Sequence, residues 1–309
     1  MNVAMNNAWL IILLGIASST QIHLAKAMER QGIETWDLIR AKFQRTGTEI
    51  EGKVRKPVIY AVGLALNHTT FIYHLFVAPL GGNIALYTSM YGMGMIALLL
   101  YSTQVMKEEI TRLELAGAVV IFLGTLIIGL EGISRPALNM GLMDLGSTVV
   151  AVVLLLGLCL VLILVGLKNG TPNLIGLVFG LSAGACGSLD PFLKGVGQTA
   201  GGGGPFTPGS IGGWVVLGSS FLAGEAAFLI TQWGFYRRAR ANLLVPALNC
   251  TYIAVPVALQ VLLLPGYQFY WSTGLGLAQI MAGFVCMRGF GRGVTAAPDG
   301  VAIESGGNR

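Results

Sequence analysis

Charge is what this sequence has least of. Asp, Glu, Lys and Arg together make up 11% of its 309 residues, whereas soluble chains carry about 25%. That shortage excludes a single soluble domain. Cysteine is scarce as well. Cys159, Cys186, Cys250 and Cys286 stand one per apolar run, with no CxxC and no Cys/His cluster, so neither a disulfide framework nor a zinc site is indicated. The glycines of 195–213 match neither GxGxxG nor a P-loop with its Lys-Ser/Thr. No Ser/His/Asp nucleophile set and no metal-ligand spacing is visible, so we expect neither an enzyme nor a cofactor. The net charge of +5 does not mark a nucleic-acid partner, because the basic residues lie at the ends of apolar runs and not in a patch. No basic residue precedes the first apolar run. A cleavable signal would carry a positive n-region, so that run is expected to stay in the mature protein.

What is abundant is apolar length. Hydrophobic residues make up 54% of the chain, and its 44 glycines sit mostly inside apolar runs; the mean hydropathy is +0.72. The fold class expected is an all-α polytopic membrane protein with about nine transmembrane helices, whose surroundings are membrane lipids. The spans fall at about 8–28, 57–77, 83–101, 113–130, 142–167, 172–195, 212–236, 243–264 and 271–287. They form one transmembrane domain over 1–287, with a first half (8–130), a linking helix (142–167) and a second half (172–287). A homodimer is allowed for. Between the first two spans, 30–56 turns polar, yet Ile33, Trp36, Ile39 and Phe43 share one helical face, so this loop is expected to lie on the membrane surface. The tail 288–309 is Gly-rich and expected to be disordered.

The sixth span organises the rest. Gly176, Gly180, Gly184 and Ser188 recur every fourth residue and give a ridge on which another helix can approach to backbone contact. The first span repeats the pattern with Gly15, Ser19, His23 and Ala27. Near the end of the sixth, Asp190 precedes Pro191, which removes a backbone donor and leaves carbonyls near Gly187 free beside a carboxylate, as in many transporter sites. The competing reading is a kink at the membrane surface with a wetted Asp190. Nine spans put the termini on opposite sides. With the N-terminus outside and the C-terminus cytoplasmic, only Arg135 and Lys194 of the 19 basic residues fall outside, which the positive-inside rule favours; a cell membrane location is expected. Spans one to four and six to nine also share an outline. Because they enter from opposite sides, such copies have inverted topology.

The stretch KEEITRLELAGAVVIFLGTLIIG (107–129), with Glu108 and Thr111, resembles the turn and Gly-rich helix of the drug/metabolite transporter superfamily. GACGSLDPFLKGVG (184–197), FLITQWGFYRRARANLLVPALNCTYI (228–253) and the APL at 78–80 are similar to NIPA-type magnesium transporters. The landmarks are Gly187-Ser188-Leu189 with Lys194, Thr231-Gln232 and Val245-Pro246. The resemblance covers about 8–287 and implies a fold of about nine helices in which the 30–56 loop takes the place of one helix. At one position where it leads us to expect an acid, this chain has His68.

Glu225 is the first candidate site residue. It lies 12 residues before Arg237, about 18 Å along a helix and so near mid-membrane, where a carboxylate needs a partner, a proton or a function. Burial there would let it bind and release a proton near neutral pH. His68 and His23, with Glu225, make a proton-relay hypothesis, set against the commoner case of packed, hydrogen-bonded histidines. Asn67, Gln232 and Asn249 either line a cavity or bond between helices. Asp190 joins the set, and with Glu225 it would be the ligand pair if a cation were carried. Lys26 and Lys194 are expected to snorkel at opposite surfaces. Magnesium demands octahedral oxygen coordination, and His68 suits so hard an ion poorly. The expectation is therefore a secondary transporter of a small organic or proton-coupled solute working by alternating access. A NIPA-like magnesium pathway and a non-transporting scaffold subunit are the alternatives.

Overall fold

The computed structural model describes residues 2–44, 55–80, 84–107, 110–135, 138–202, 204, 206–237, 239 and 241–288. Residues 45–54 of the polar loop and 289–309 of the tail lie outside that set. The described chain is helical, with no strand among the described residues. Its helices are α1 (Asn2–Gln31), α2 (Thr35–Gln44), α3 (Arg55–Thr69), α4 (Phe71–Val77), α5 (Ile84–Ser89), α6 (Gly94–Gln104), α7 (Arg112–Ser134), α8 (Leu145–Asn169), α9 (Pro172–Thr199), α10 (Ile211–Tyr236), α11 (Ala241–Leu263) and α12 (Trp271–Arg288). A 3₁₀ turn, Met90–Met93, joins α5 to α6. Seven spans are long and apolar enough to cross a bilayer: those of α1, α5–α6, α7, α8, α9, α10 and α11. The protein is a polytopic α-helical membrane protein.

Two of the expected helices are interrupted. The span read over 57–77 breaks at Thr70, where a run of polar residues (Asn67, His68, Thr69, Thr70) competes for backbone acceptors. The Thr69 hydroxyl donates to the Ala65 carbonyl at 2.9 Å and the Thr70 hydroxyl to that of Asn67 at 2.5 Å. Such side-chain bonds offer the backbone an alternative to the helical ladder. The third span tightens into 3₁₀ geometry at Met90–Met93, held from α1 by Ser19, whose hydroxyl donates to the Tyr91 carbonyl (2.8 Å) and accepts from the Gly94 N–H (2.9 Å). By contrast α9 runs unbroken through Pro191 to Thr199. α9 also extends four residues beyond the expected 195.

Helix starts follow their local chemistry. Thr111 caps α7 in a reciprocal box with Glu114, satisfying two otherwise orphaned N–H groups. Asp144 caps α8 through the Ser147 N–H at 2.7 Å, which holds its carboxyl below the usual carboxylate range.

Small residues decide the packing, as they must where lipid supplies no hydrophobic drive between helices. A side chain built on Gly180 would lie 2.5 Å from the Leu244 carbonyl and 2.7 Å from the Ala247 Cβ, so α9 touches α11 through backbone. On α1, Gly15 faces the Met90 Cβ (2.7 Å) and the Tyr87 carbonyl (2.8 Å). α7 and α12 meet reciprocally at Gly117 and Gly283 and again at Gly124 and Gly276. Their ends are clamped by Arg135, which pairs with Glu131 and lies over the rings of Tyr267 and Tyr270. α8 stands apart, packed mainly on α9, and turns most of its apolar surface outward. α2 leans on α3 through Trp36, whose ring N–H donates to the Tyr60 hydroxyl at 2.9 Å.

Candidate functional site

A cavity of about 410 Å³ lies where α1, α3, α4, α9, α10 and α11 converge. Thr70, where the ladder between α3 and α4 tightens to an i,i+3 bond with Asn67, lines it together with Phe71 and His74 of α4.

At one side stands a buried ionic cluster. Asp190, 5% exposed, accepts from the Lys194 ammonium one turn ahead of it and from Nδ1 of His74 on α4. With Nδ1 donating to the carboxylate, Nε2 of His74 is left to face the Tyr252 hydroxyl at 3.5 Å. Lys194 is fully buried and sits 4.1 Å from the centre of the Phe221 ring. Tyr252 stacks on Tyr91, ring centres 3.8 Å apart, and the hydroxyls of Tyr91, Ser18 and Tyr87 form a short chain (3.4 and 2.7 Å).

On the other side is a second network. Glu29, fully buried in α1, accepts from Asn67 Nδ2 at 2.8 Å and from Gln232 Nε2 at 2.5 Å, and Gln232 Oε1 accepts from the Tyr60 hydroxyl at 3.0 Å. Lys26, one turn before Glu29, lines the cavity. At the open side, Glu225 faces His68 Nε2 at 3.3 Å; His68 Nδ1 donates to the Leu64 carbonyl at 2.9 Å and its ring packs edge-on against Phe228.

Several expectations change. Glu225 is not enclosed by protein, since its side chain is 55% exposed; distance along α10 gives depth, but the face on which a residue sits decides burial. Asp190 is not wetted at a surface. Lys194 and Lys26 do not snorkel, being 0% and 6% exposed, because the helices that carry them run on for another turn or more and keep both lysines inside the bundle. His23 is not part of a relay with His68 and Glu225. It is fully buried between α1 and α11, with Nδ1 donating to the Ser19 carbonyl (2.7 Å) and Nε2 accepting from Asn249 Nδ2 (2.7 Å). Those two partners fix one neutral tautomer and give His23 and Asn249 a helix-joining role; neither lines the cavity. Asn67 and Gln232 also join helices, through Glu29.

Sequence reasoning missed Glu29, His74, Lys26 and the Tyr91–Tyr252 pair. Two spacings in the sequence point to the ionic clusters, Asp190–Lys194 at i,i+4 and Lys26–Glu29 at i,i+3, since such pairs share one helix face. Among the described residues, no group of three or more His, Cys, Asp or Glu side chains is placed to hold a metal ion. Comparison of the chain with models of protein families, with characterised proteins and with solved structures finds no match.

Proposed function

We propose that this protein is a secondary transporter that moves a small solute through the central cavity by alternating access, in the manner of the drug/metabolite transporters its sequence resembles. One observation carries the reading: a cavity between the helices of a membrane protein is lined by an ion-paired carboxylate, two lysines and two histidines. Charged groups inside a bundle are expensive, and they mark substrate or proton paths. A scaffold has no need of such a hollow. In this reading the α3–α4 pair and the shorter apolar α12 cross as well as the seven long spans, making nine. An inverted arrangement of halves is supported by packing: α1 contacts α3 and the α5–α6 span much as α9 contacts α10 and α11, while α7 and α12 pair with each other. The basic residues then argue for an external N-terminus and a cytoplasmic C-terminus. Single cysteines placed in 35–44 should react with an impermeant thiol reagent only after the cytoplasmic side is opened, and one at Gly202 should react from outside. The reverse labelling would sink that orientation.

Proton coupling is assigned to the His68–Glu225 pair, since it combines a titratable partner with access to the cavity's open side. In liposomes holding purified protein, a pH gradient should drive uptake of the transported solute. Glu225→Gln should abolish that gradient-driven uptake while leaving solute exchange at equal pH in place. Gradient-independent Mg²⁺ uptake would overturn the organic-solute reading, and transport of no solute in a panel of cations and metabolites would favour the scaffold.

A further inference from the structure

The two lysines of the cavity are not equivalent. Lys194 is neutralised by Asp190. Lys26, 94% buried and lining the same cavity, has no carboxylate within 4.0 Å and no hydrogen-bond acceptor among the described residues. Glu29 lies one turn on, yet the amides of Asn67 and Gln232 occupy both of its oxygens. An ammonium carries three donors, and in so enclosed a setting it is unfavourable without acceptors. The cavity is the side from which an acceptor, solvent or a ligand, reaches it.

We propose that Lys26 is the anchor for the carboxylate of an organic monoanion, whose apolar body lies against the rings of Phe71, Phe228, Tyr91 and Tyr252. All four rings line the cavity, and the last two are already stacked on each other. This assignment rests on the transporter reading and narrows its substrate. Charge selects the class. Of the two lysines lining the cavity Lys194 is ion-paired and Lys26 is not, and the carboxylates of Asp190 and Glu225 stand on the same lining, so the site offers one free ammonium, enough to match a monoanion but not a dianion such as a phosphate monoester. A cation would have to take Asp190 from Lys194 and His74 or Glu225 from His68 at the open side, and in either case it would share the cavity with the unpaired Lys26. The volume of about 410 Å³ falls in the range of small-molecule sites, which are mostly apolar with a few convergent polar groups.

The test uses the full-length protein in detergent or nanodiscs, melted in the presence of 3-phenylpropionate, its neutral amide, phenyl phosphate or phenethylamine. A ligand that binds only the folded state raises the melting temperature with concentration. The carboxylate alone should do so on the wild-type chain, a contrast that needs no variant. Lys26→Met, which keeps the length and removes the charge, should bind the carboxylate at least about tenfold more weakly, as the loss of a charge-assisted hydrogen bond implies; Lys26→Arg should keep most of the binding. Stabilisation by none of the four probes, equal stabilisation by the amide, preference for the phosphate or the amine, or unchanged carboxylate binding in Lys26→Met would each overturn the assignment. Counterflow of the same probes in liposomes separates the two readings. Binding at Lys26 without counterflow removes transport and leaves the site, while counterflow of an amine, a neutral solute or Mg²⁺ without carboxylate binding leaves transport and removes the site.

Discussion

Asp190→Ala should destabilise the protein by about 3–5 kcal/mol, the loss expected when one partner of a buried ion pair is removed. The substitution leaves Lys194, which is fully buried, without its carboxylate, and it takes the acceptor from His74 Nδ1 as well. The orphaned charge dominates the loss, so removing it should reverse most of the effect. Asp190→Leu combined with Lys194→Met should melt well above Asp190→Ala alone, since an apolar pair of similar volume replaces a buried ion pair at little or no cost. Two melting curves in detergent decide the matter. If Asp190→Ala melts with the wild type, Lys194 has another acceptor and the cluster is not what holds α4 against α9. If the double variant melts no higher than the single one, packing and not charge accounts for the loss.

That cluster also marks where the sequence stops being informative. Asp190 and Lys194 stand four apart, so their pairing is legible wherever the sixth span continues past both. Hydropathy ends that span at 195 and puts the lysine at a surface; in the structure α9 reaches Thr199. His74 is 116 residues from Asp190, and its aim depends on how α4 leaves the break at Thr70. Hydropathy does not register that break, because an apolar run reads the same whether it is one helix or two. Glu225 failed in the opposite direction. Its depth along α10 was computable from the sequence, but its azimuth depends on which neighbours α10 meets, and on that face it meets the open side of the cavity. Glu29 falls just past the expected end of the first span at 28, whereas α1 runs to Gln31 and carries it inside the bundle as a hydrogen-bond hub. The ridges fared better. A period of four small residues is a local property, and on α9 it points where the sequence said it would, at the backbone of another helix.

The ridge therefore supports the sharpest paired prediction. Gly184→Ala should destabilise the protein, whereas Gly218→Ala should be neutral or slightly stabilising, although both glycines lie within long membrane helices. A Cβ on Gly184 would fall inside the van der Waals surfaces of the Leu248 carbonyl oxygen and the Thr251 hydroxyl. The first is backbone and cannot rotate away. The second donates to the Leu181 carbonyl at 2.9 Å, tying α11 to α9 at the same level. Overpacking usually costs about 1–3 kcal/mol, and the loss here should reach or exceed the top of that range, because α11 must move bodily and carry with it Tyr252 and Leu248 of the cavity wall. Gly218 on α10 has nothing within 4 Å of such a Cβ, so alanine there meets no neighbour and gains about 0.5–1 kcal/mol of helix preference. The two variants differ by the same single methyl group, so the comparison isolates helix contact from propensity. Melting temperatures that move in opposite directions are the expected result; equal shifts would mean that the Gly176–Ser188 face does not hold α9 against α11, and the wall of the cavity would have to be supported from elsewhere.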